Sequence, residues 1–196
     1  MASYVIAISG ASGAIYGITL LEYLLKAKHQ VYLILSRSAR LIIRDESGLD
    51  WGHNFSESKE ILSKCYDGYP LTLCDENDMT APIASGSVPT SGMIIAPCSM
   101  KTLSGITHGY SANLIERAAD VSLKEGRSLI LIPRETPMNR VHLKNMLIAS
   151  ELGATILPAM PPFYHHPKTI EDMVNFIAGR ALDLLGLQNQ LYKRWA

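Results

Sequence analysis

The sequence predicts a single doubly wound α/β domain, with one mainly parallel sheet and helices on both faces. Three observations predict it. Short continuous apolar runs, such as Val5-Ile6-Ala7-Ile8 and Val31-Tyr32-Leu33-Ile34-Leu35, suit strands covered on both sides. They alternate with longer segments whose apolar residues recur at helical spacing. The runs also end in turns rich in Gly, Ser and Arg, at the strand ends where open α/β sheets bind ligands.

The bulk properties bound the function. The 196 residues suffice for one domain, residues 1–196, with a sizeable core. A hydrophobic fraction of 47% excludes disorder, and a formal net charge of zero leaves no electrostatic case for a nucleic-acid partner. No apolar run is long enough for a membrane span, and no charged leader precedes the first strand, so a cytoplasmic location is expected. Cys65, Cys74 and Cys98 form no C-x-x-C pair and read as reduced core thiols. The histidines show no zinc spacing, so no metal is expected.

Residues 3–17 read as a buried strand, a glycine turn and the first turn of a helix. Gly10 and Gly13 permit a sharp turn and close approach of a ligand, Ser9 and Ser12 add hydroxyls, and the helix N-terminus that follows suits a phosphate. The spacing is G-x-x-G-x-x-x-G rather than G-x-G-x-x-G. A helix over residues 15–28 leads to the second strand, Val31–Leu35, completing a right-handed βαβ unit. That strand ends in Ser36-Arg37-Ser38. NAD units carry an acid here, so NAD is disfavoured, while an Arg leaves NADP open. Arg37 reads equally as a ligand contact or a solvated charge.

Residues 39–49 read as a helix closed at Gly48. Glu46 lies near its C-terminal end, where the dipole disfavours an acid, so it is either a surface residue or has another role. Residues 50–80 are weakly patterned, with a short helix near 57–64 and a short strand at 71–74. Residues 81–89, small and proline-rich, read as a close-fitting irregular loop. The third core strand, Met93-Ile94-Ile95-Ala96, runs into Pro97-Cys98-Ser99-Met100-Lys101-Thr102, where Ser99 or Thr102 caps a helix or walls a ligand site.

Residues 112–125 form an amphipathic helix carrying Arg117 and Lys124, and Ser128–Pro133 is the fourth core strand. It ends in Pro133-Arg134-Glu135-Thr136-Pro137. Two prolines there stiffen a loop presenting a guanidinium fork and an acid, a phosphate ligand and a proton carrier. A helix over 139–152, a fifth strand over 154–158 and a rigid loop with Phe163, Tyr164, His165 and His166 follow. The last helix runs from Thr169 to about Leu185 and includes Arg180. The tail from about 186 ends at Trp195, whose ring is expected against a neighbouring subunit.

Together these stretches resemble the flavin prenyltransferase family of the UbiX type, once described as aromatic-acid decarboxylases. The resemblance rests on Gly10–Gly17, the ASGS at 84–87, the PCSMKTLSGI at 97–106, the NLIERAADVSLKE at 113–125, the PRETP at 133–137, the PPFYHHP at 161–167 and the closing Arg194-Trp195. It implies a Rossmann-like flavoprotein fold and a homo-oligomer, often a dodecamer, with sites between subunits. It implies FMN as cofactor and co-substrate, and transfer of a dimethylallyl group from dimethylallyl phosphate to N5 and C6 of the reduced flavin. The product would serve a UbiD-type decarboxylase, in ubiquinone synthesis or aromatic-acid decarboxylation. It further implies that Ala11, Ser12, Gly13, Ser36, Ser99, Met100, Lys101, Thr102 and Arg134 contact FMN. Arg117, Lys124, Arg134, Tyr164, Arg180 and Trp195 would bind the substrate, with Ser12, Glu46 and Glu135 moving protons. The rival readings are an FMN-dependent cysteine decarboxylase, which has a related fold but a P-A-S-A-N-T stretch where this chain has PCSMKT, and a non-catalytic flavin carrier.

Overall fold

The computed structural model describes residues 2–194. Strand and helix alternate as β1 (Ser3–Ile8), α1 (Ala14–Lys26), β2 (Gln30–Leu35), α2 (Arg37–Ser47), α3 (Phe55–Cys65), β3 (Leu71–Cys74), β4 (Gly92–Cys98), α4 (Met100–Thr107), α5 (Leu114–Lys124), β5 (Leu129–Pro133), α6 (Arg140–Glu151), β6 (Thr155–Ile156) and α7 (Ile170–Leu184). The sheet order is β3-β2-β1-β4-β5-β6, and every pairing is parallel. The strand order reverses direction between β1 and β4, the position at which doubly wound sheets open a crevice for a ligand.

The strands are apolar throughout because both faces are covered. Tyr4, Ile6 and Ile8 pack in a core with α1 and α7, while Val5 and Ala7 pack in a second core with α4, α5 and α6. Each fully buried Ile or Leu contributes roughly 1.5–3 kcal/mol. Most helices start where a short polar side chain accepts the first free amide. Ser36, Asn54, Ser99, Asn113, Asn139 and Thr169 all cap in this way. α1 is different: it opens on Gly13, in the left-handed region at φ 98°, with no cap from that residue.

The short strand expected at 71–74 is there, pairing with β2 at the sheet edge and bringing the sheet to six strands. Other expectations change. α2 begins at Arg37, since Ser36 rather than a later residue is its cap. β6 is only Thr155–Ile156, though the chain stays beside β5 through Leu157 N donating to Leu131 O and Ala159 N to Pro133 O. Gly17, grouped above with the turn glycines, serves packing: a Cβ there would collide with Ala96 O. Cys65 is exposed rather than a core thiol. As far as Arg194, the tail lies along its own chain. Leu187, Leu191 and Tyr192 pack on the α1–α7 core, and Tyr23 Oη donates to Gln188 O at 2.8 Å. Trp195 lies outside the described residues. Among those described, no helix is long and apolar enough to cross a membrane.

Candidate functional site

Strand register lines up the carboxyl ends of four strands. Ile8 pairs with Leu35, so Ser9 and Ser36 emerge side by side. Cys98 pairs with Pro133, so Ser99 and Arg134 do likewise. Ser9 joins the two pairs: its buried hydroxyl donates to Pro97 O at 2.8 Å and accepts from Ser99 N at 2.8 Å. The row Ser36, Ser9, Ser99, Arg134 therefore spans three strand spacings, about 14 Å. Ser9 is the fastener of this crevice and not a free hydroxyl at the turn.

At the β1–α1 turn the sequence predicts free amides at the α1 N-terminus, open to a phosphate. Instead, Glu46 Oε2 accepts from Gly13 N at 2.8 Å and from Ala14 N at 3.1 Å. This explains an acid near the end of α2: its carboxylate serves the positive end of α1. It also brings Glu46 to the turn carrying Ala11, Ser12 and Gly13, with Ser12 exposed and Ala11 buried.

Across the crevice, Ser99 Oγ accepts from Thr102 N at 3.2 Å and donates to Thr102 Oγ1 at 3.0 Å, so both hydroxyls shape the α4 cap. Lys101 is exposed and Met100 half-buried beside them. Burial pushes the Cys98 thiol up to about 12, which keeps it protonated and unreactive in the wall. Arg134 is half-buried, and its Nε is buried without a hydrogen-bond partner. A charged donor left open at the end of β5 is a costly feature for folding alone, and it fits an acceptor-rich, planar ligand such as a flavin. Glu135 follows it, half-buried, its Oε1 accepting from Thr136 N at 3.0 Å.

The other expected substrate residues fall into two separate places. Arg117 lies on α5, where Nε donates to Ala84 O at 3.0 Å and Nη1 pairs with Asp120 at 2.8 Å. Lys124 ends the same helix, 3.5 Å from Glu125. The direction of α5 decides its reach. Its first residue meets the end of β3 through Leu114 N and Glu76 O, and just beyond its last turn Arg127 donates to Gly86 O and Val88 O, ahead of β4. Lys124 thus stands at the amino edge of the sheet, roughly a helix length of about 16 Å from the crevice.

Tyr164, in the loop ahead of α7, and Arg180, within α7, belong to one cluster. Tyr164 meets Phe176 edge-on at 6.1 Å, His165 stacks on Phe176 at 5.1 Å, and Phe176 meets Tyr192 at 4.8 Å. Arg180 Nη1 stands 3.4 Å from Tyr192 Oη and 3.4 Å from Asp183 Oδ2. Sequence reasoning missed Tyr192, Asp183 and Arg194 as neighbours of Arg180. Only the i,i+3 spacing of Arg180 and Asp183 could have signalled any of it. Among the described residues, no group of three or more His, Cys, Asp or Glu side chains is placed to hold a metal.

Comparison with known proteins bears on the family and the fold. Residues 2–182 match the family described as Flavoprotein. The chain is 48% identical over 192 residues to the flavin prenyltransferase UbiX of Alkalihalophilus pseudofirmus, covering 97% of this chain and 94% of that one. It is likewise 48% identical to the flavin prenyltransferase UbiX of Methanocaldococcus jannaschii, covering 97% of both. Its fold superposes on a crystal structure of AnUbiX in complex with FMN and dimethylallyl pyrophosphate, with a TM-score of 0.89 and 39% identity over 100% of this chain and 97% of that one. A dodecameric FMN-dependent UbiX-like decarboxylase from Escherichia coli O157:H7 gives 0.88 and 39%, over 99% of each chain. The cysteine decarboxylase TvaF, at 14% identity and a TM-score of 0.62 over 95% of this chain and 99% of that one, shares the fold alone.

Proposed function

The chain belongs to the flavoprotein family, among the flavin prenyltransferases of the UbiX type, and from that premise we propose how its residues divide the work. It is a prenyltransferase that uses FMN. The five-carbon donor is dimethylallyl phosphate, and the reduced flavin, when bound, supplies the nucleophilic N5 and C6. The observation that carries the reading is the unpartnered Nε of Arg134, the residue that leaves β5 at the same edge where Ser99 leaves β4.

The residues act as follows. Ala11, Ser12, Gly13, Ser36, Ser99, Met100, Lys101 and Thr102 line the flavin side of the crevice, and Arg134 faces both flavin and donor. Phosphate leaving an allylic carbon gathers negative charge on oxygen. Lys124, Arg117, Arg180 and the Tyr164 hydroxyl are donors of the kind that stabilise it, each worth about 10²–10³ in rate where well placed. Glu135 gives a proton to the departing phosphate. Glu46 would take up, by way of the Ser12 hydroxyl, the proton lost when the ring closes. Tyr164 and Trp195 shield the allylic carbon from water.

Lys124 stands at the opposite sheet edge from Arg134, so one chain cannot offer both to one ligand. A homo-oligomer that sets α5 of one copy, and the α7 cluster of another, over the crevice of a third resolves this. A dodecamer, as in the Escherichia coli relative, is the proposed assembly. The product is proposed to pass to a UbiD-type decarboxylase in the cytoplasm. Anaerobic incubation with reduced FMN and dimethylallyl phosphate, followed by mass spectrometry of the flavin, tests the function. A gain of one five-carbon unit is expected, and unmodified flavin that stays bound would return the carrier and decarboxylase readings.

A further inference from the structure

Asp183, one turn beyond Arg180 on α7, gathers donors from several directions. Its side chain is only 16% exposed. Arg194 grips it with both arms of the fork, Nη2 at 2.7 Å from Oδ1 and Nη1 at 3.2 Å from Oδ2. The Tyr192 hydroxyl donates to Oδ2, and Asn189 Nδ2 donates to Oδ1 at 2.8 Å. Asn189 also donates to Gly179 O at 3.0 Å, which fixes the tail to the helix. Arg180 is held differently. Both of its contacts are 3.4 Å, long for a charge-assisted hydrogen bond, and 46% of its side chain is exposed.

Two guanidiniums thus share one carboxylate, and geometry decides which of them is neutralised. Arg194 takes the short bidentate contact. Arg180 is left oriented by Tyr192 and Asp183 but with its charge largely available. We propose that Arg194 is a positioning residue for the substrate phosphate: by occupying Asp183 it keeps Arg180 free to bind the anion. The proposal rests on the reading that Arg180 contacts the phosphate of dimethylallyl phosphate. Without Arg194, the nearest described cation to Asp183 is Arg180, and a side-chain rotation closes the 3.4 Å gap. The phosphate must then compete with a close ion pair.

The test is a mutant cycle on the full chain, with native enzyme as the control for the function itself. Arg194→Ala is expected to raise KM for dimethylallyl phosphate about tenfold, the worth of one charge-assisted hydrogen bond, while kcat and FMN affinity stay at native values. Adding Asp183→Asn removes the competitor, so the double variant is expected to return KM towards native. A tail that merely braces the fold would not be rescued by losing a second contact. An unchanged KM in Arg194→Ala, or no recovery in the double variant, overturns the proposal. Arg194→Lys, which keeps the charge but not the fork, is expected to fall between native and Arg194→Ala, and any other order also overturns it. Native enzyme that makes no prenylated flavin would instead sink the function reading on which the proposal rests.

Discussion

The crevice at the carboxyl edge and the cation clusters on α5 and α7 are built on different principles. In the crevice, backbone register does the placing. Ser9 bridges β1 and β4, Glu46 caps α1, and Arg134 leaves β5 next to Ser99. All of this is internal to one chain. Lys124 and Arg180 are instead exposed side chains on helices, held by carboxylates at 3.5 Å and 3.4 Å. On the proposed function, the lesson is that the chain folds its flavin crevice by itself and carries the groups proposed for the phosphate as surface, to be completed by another copy.

Removing a cation should separate the two halves most sharply. Lys124→Ala is expected to lower turnover by about 10²-fold or more, the cost of one preorganised donor. FMN affinity and melting temperature should stay native, and a parallel loss of flavin binding would break the division. Glu135→Gln is expected to lower turnover by roughly 10²-fold with flavin still bound. Unchanged turnover would remove its acid/base role.

Changes within the crevice should instead register as stability. Gly17→Ala would place a methyl against Ala96 O and Ile8, so a loss of about 1–3 kcal/mol in chemical denaturation is expected. Ser9→Ala leaves Ser99 N without its acceptor and is expected to cost about 1–3 kcal/mol and to weaken FMN binding. Glu46→Ala removes the acceptor for two amides, costs about 1 kcal/mol and slows turnover.

The smallest effect is on pH. Partial burial opposes ionisation of Asp183, yet the Arg194 and Tyr192 donors outweigh it and hold the carboxyl below its ordinary range. A lowered folded value means that the stabilisation is full above the ordinary carboxylate range and is lost as pH falls through the lowered value. Melting temperature should therefore drop on the acid side, and Asp183→Asn should flatten that limb.

How far the sequence reveals this differs between the halves. The strand runs and caps are local, so β1, β2, β4, β5 and the starts of α4, α5 and α7 are readable from residues such as Ser99, Asn113 and Thr169. β3 is not secure, because Leu71–Cys74 is too short to show a period and only its pairing with β2 makes it a strand. Glu46 could be flagged as misplaced, but its acceptance from Gly13 N, 33 residues away in sequence, depends on how α2 packs by α1. The same holds for Ser9, whose hydroxyl looks like a ligand contact until the 88-residue link to Pro97 is known. The residues proposed for the phosphate are named through family resemblance, whereas the separation of Lys124 from the crevice follows only from the direction of α5.

The most direct test of the shared site is subunit mixing. Lys124→Ala and Arg134→Ala chains are each expected to be inactive alone. Co-expressed in equal amounts, they should recover about one quarter of native activity, since random assembly in a symmetric oligomer pairs an intact Lys124 with an intact Arg134 of another copy at that frequency. Mixed assemblies as inactive as the single variants would mean that both residues must come from one chain, and would contradict the account.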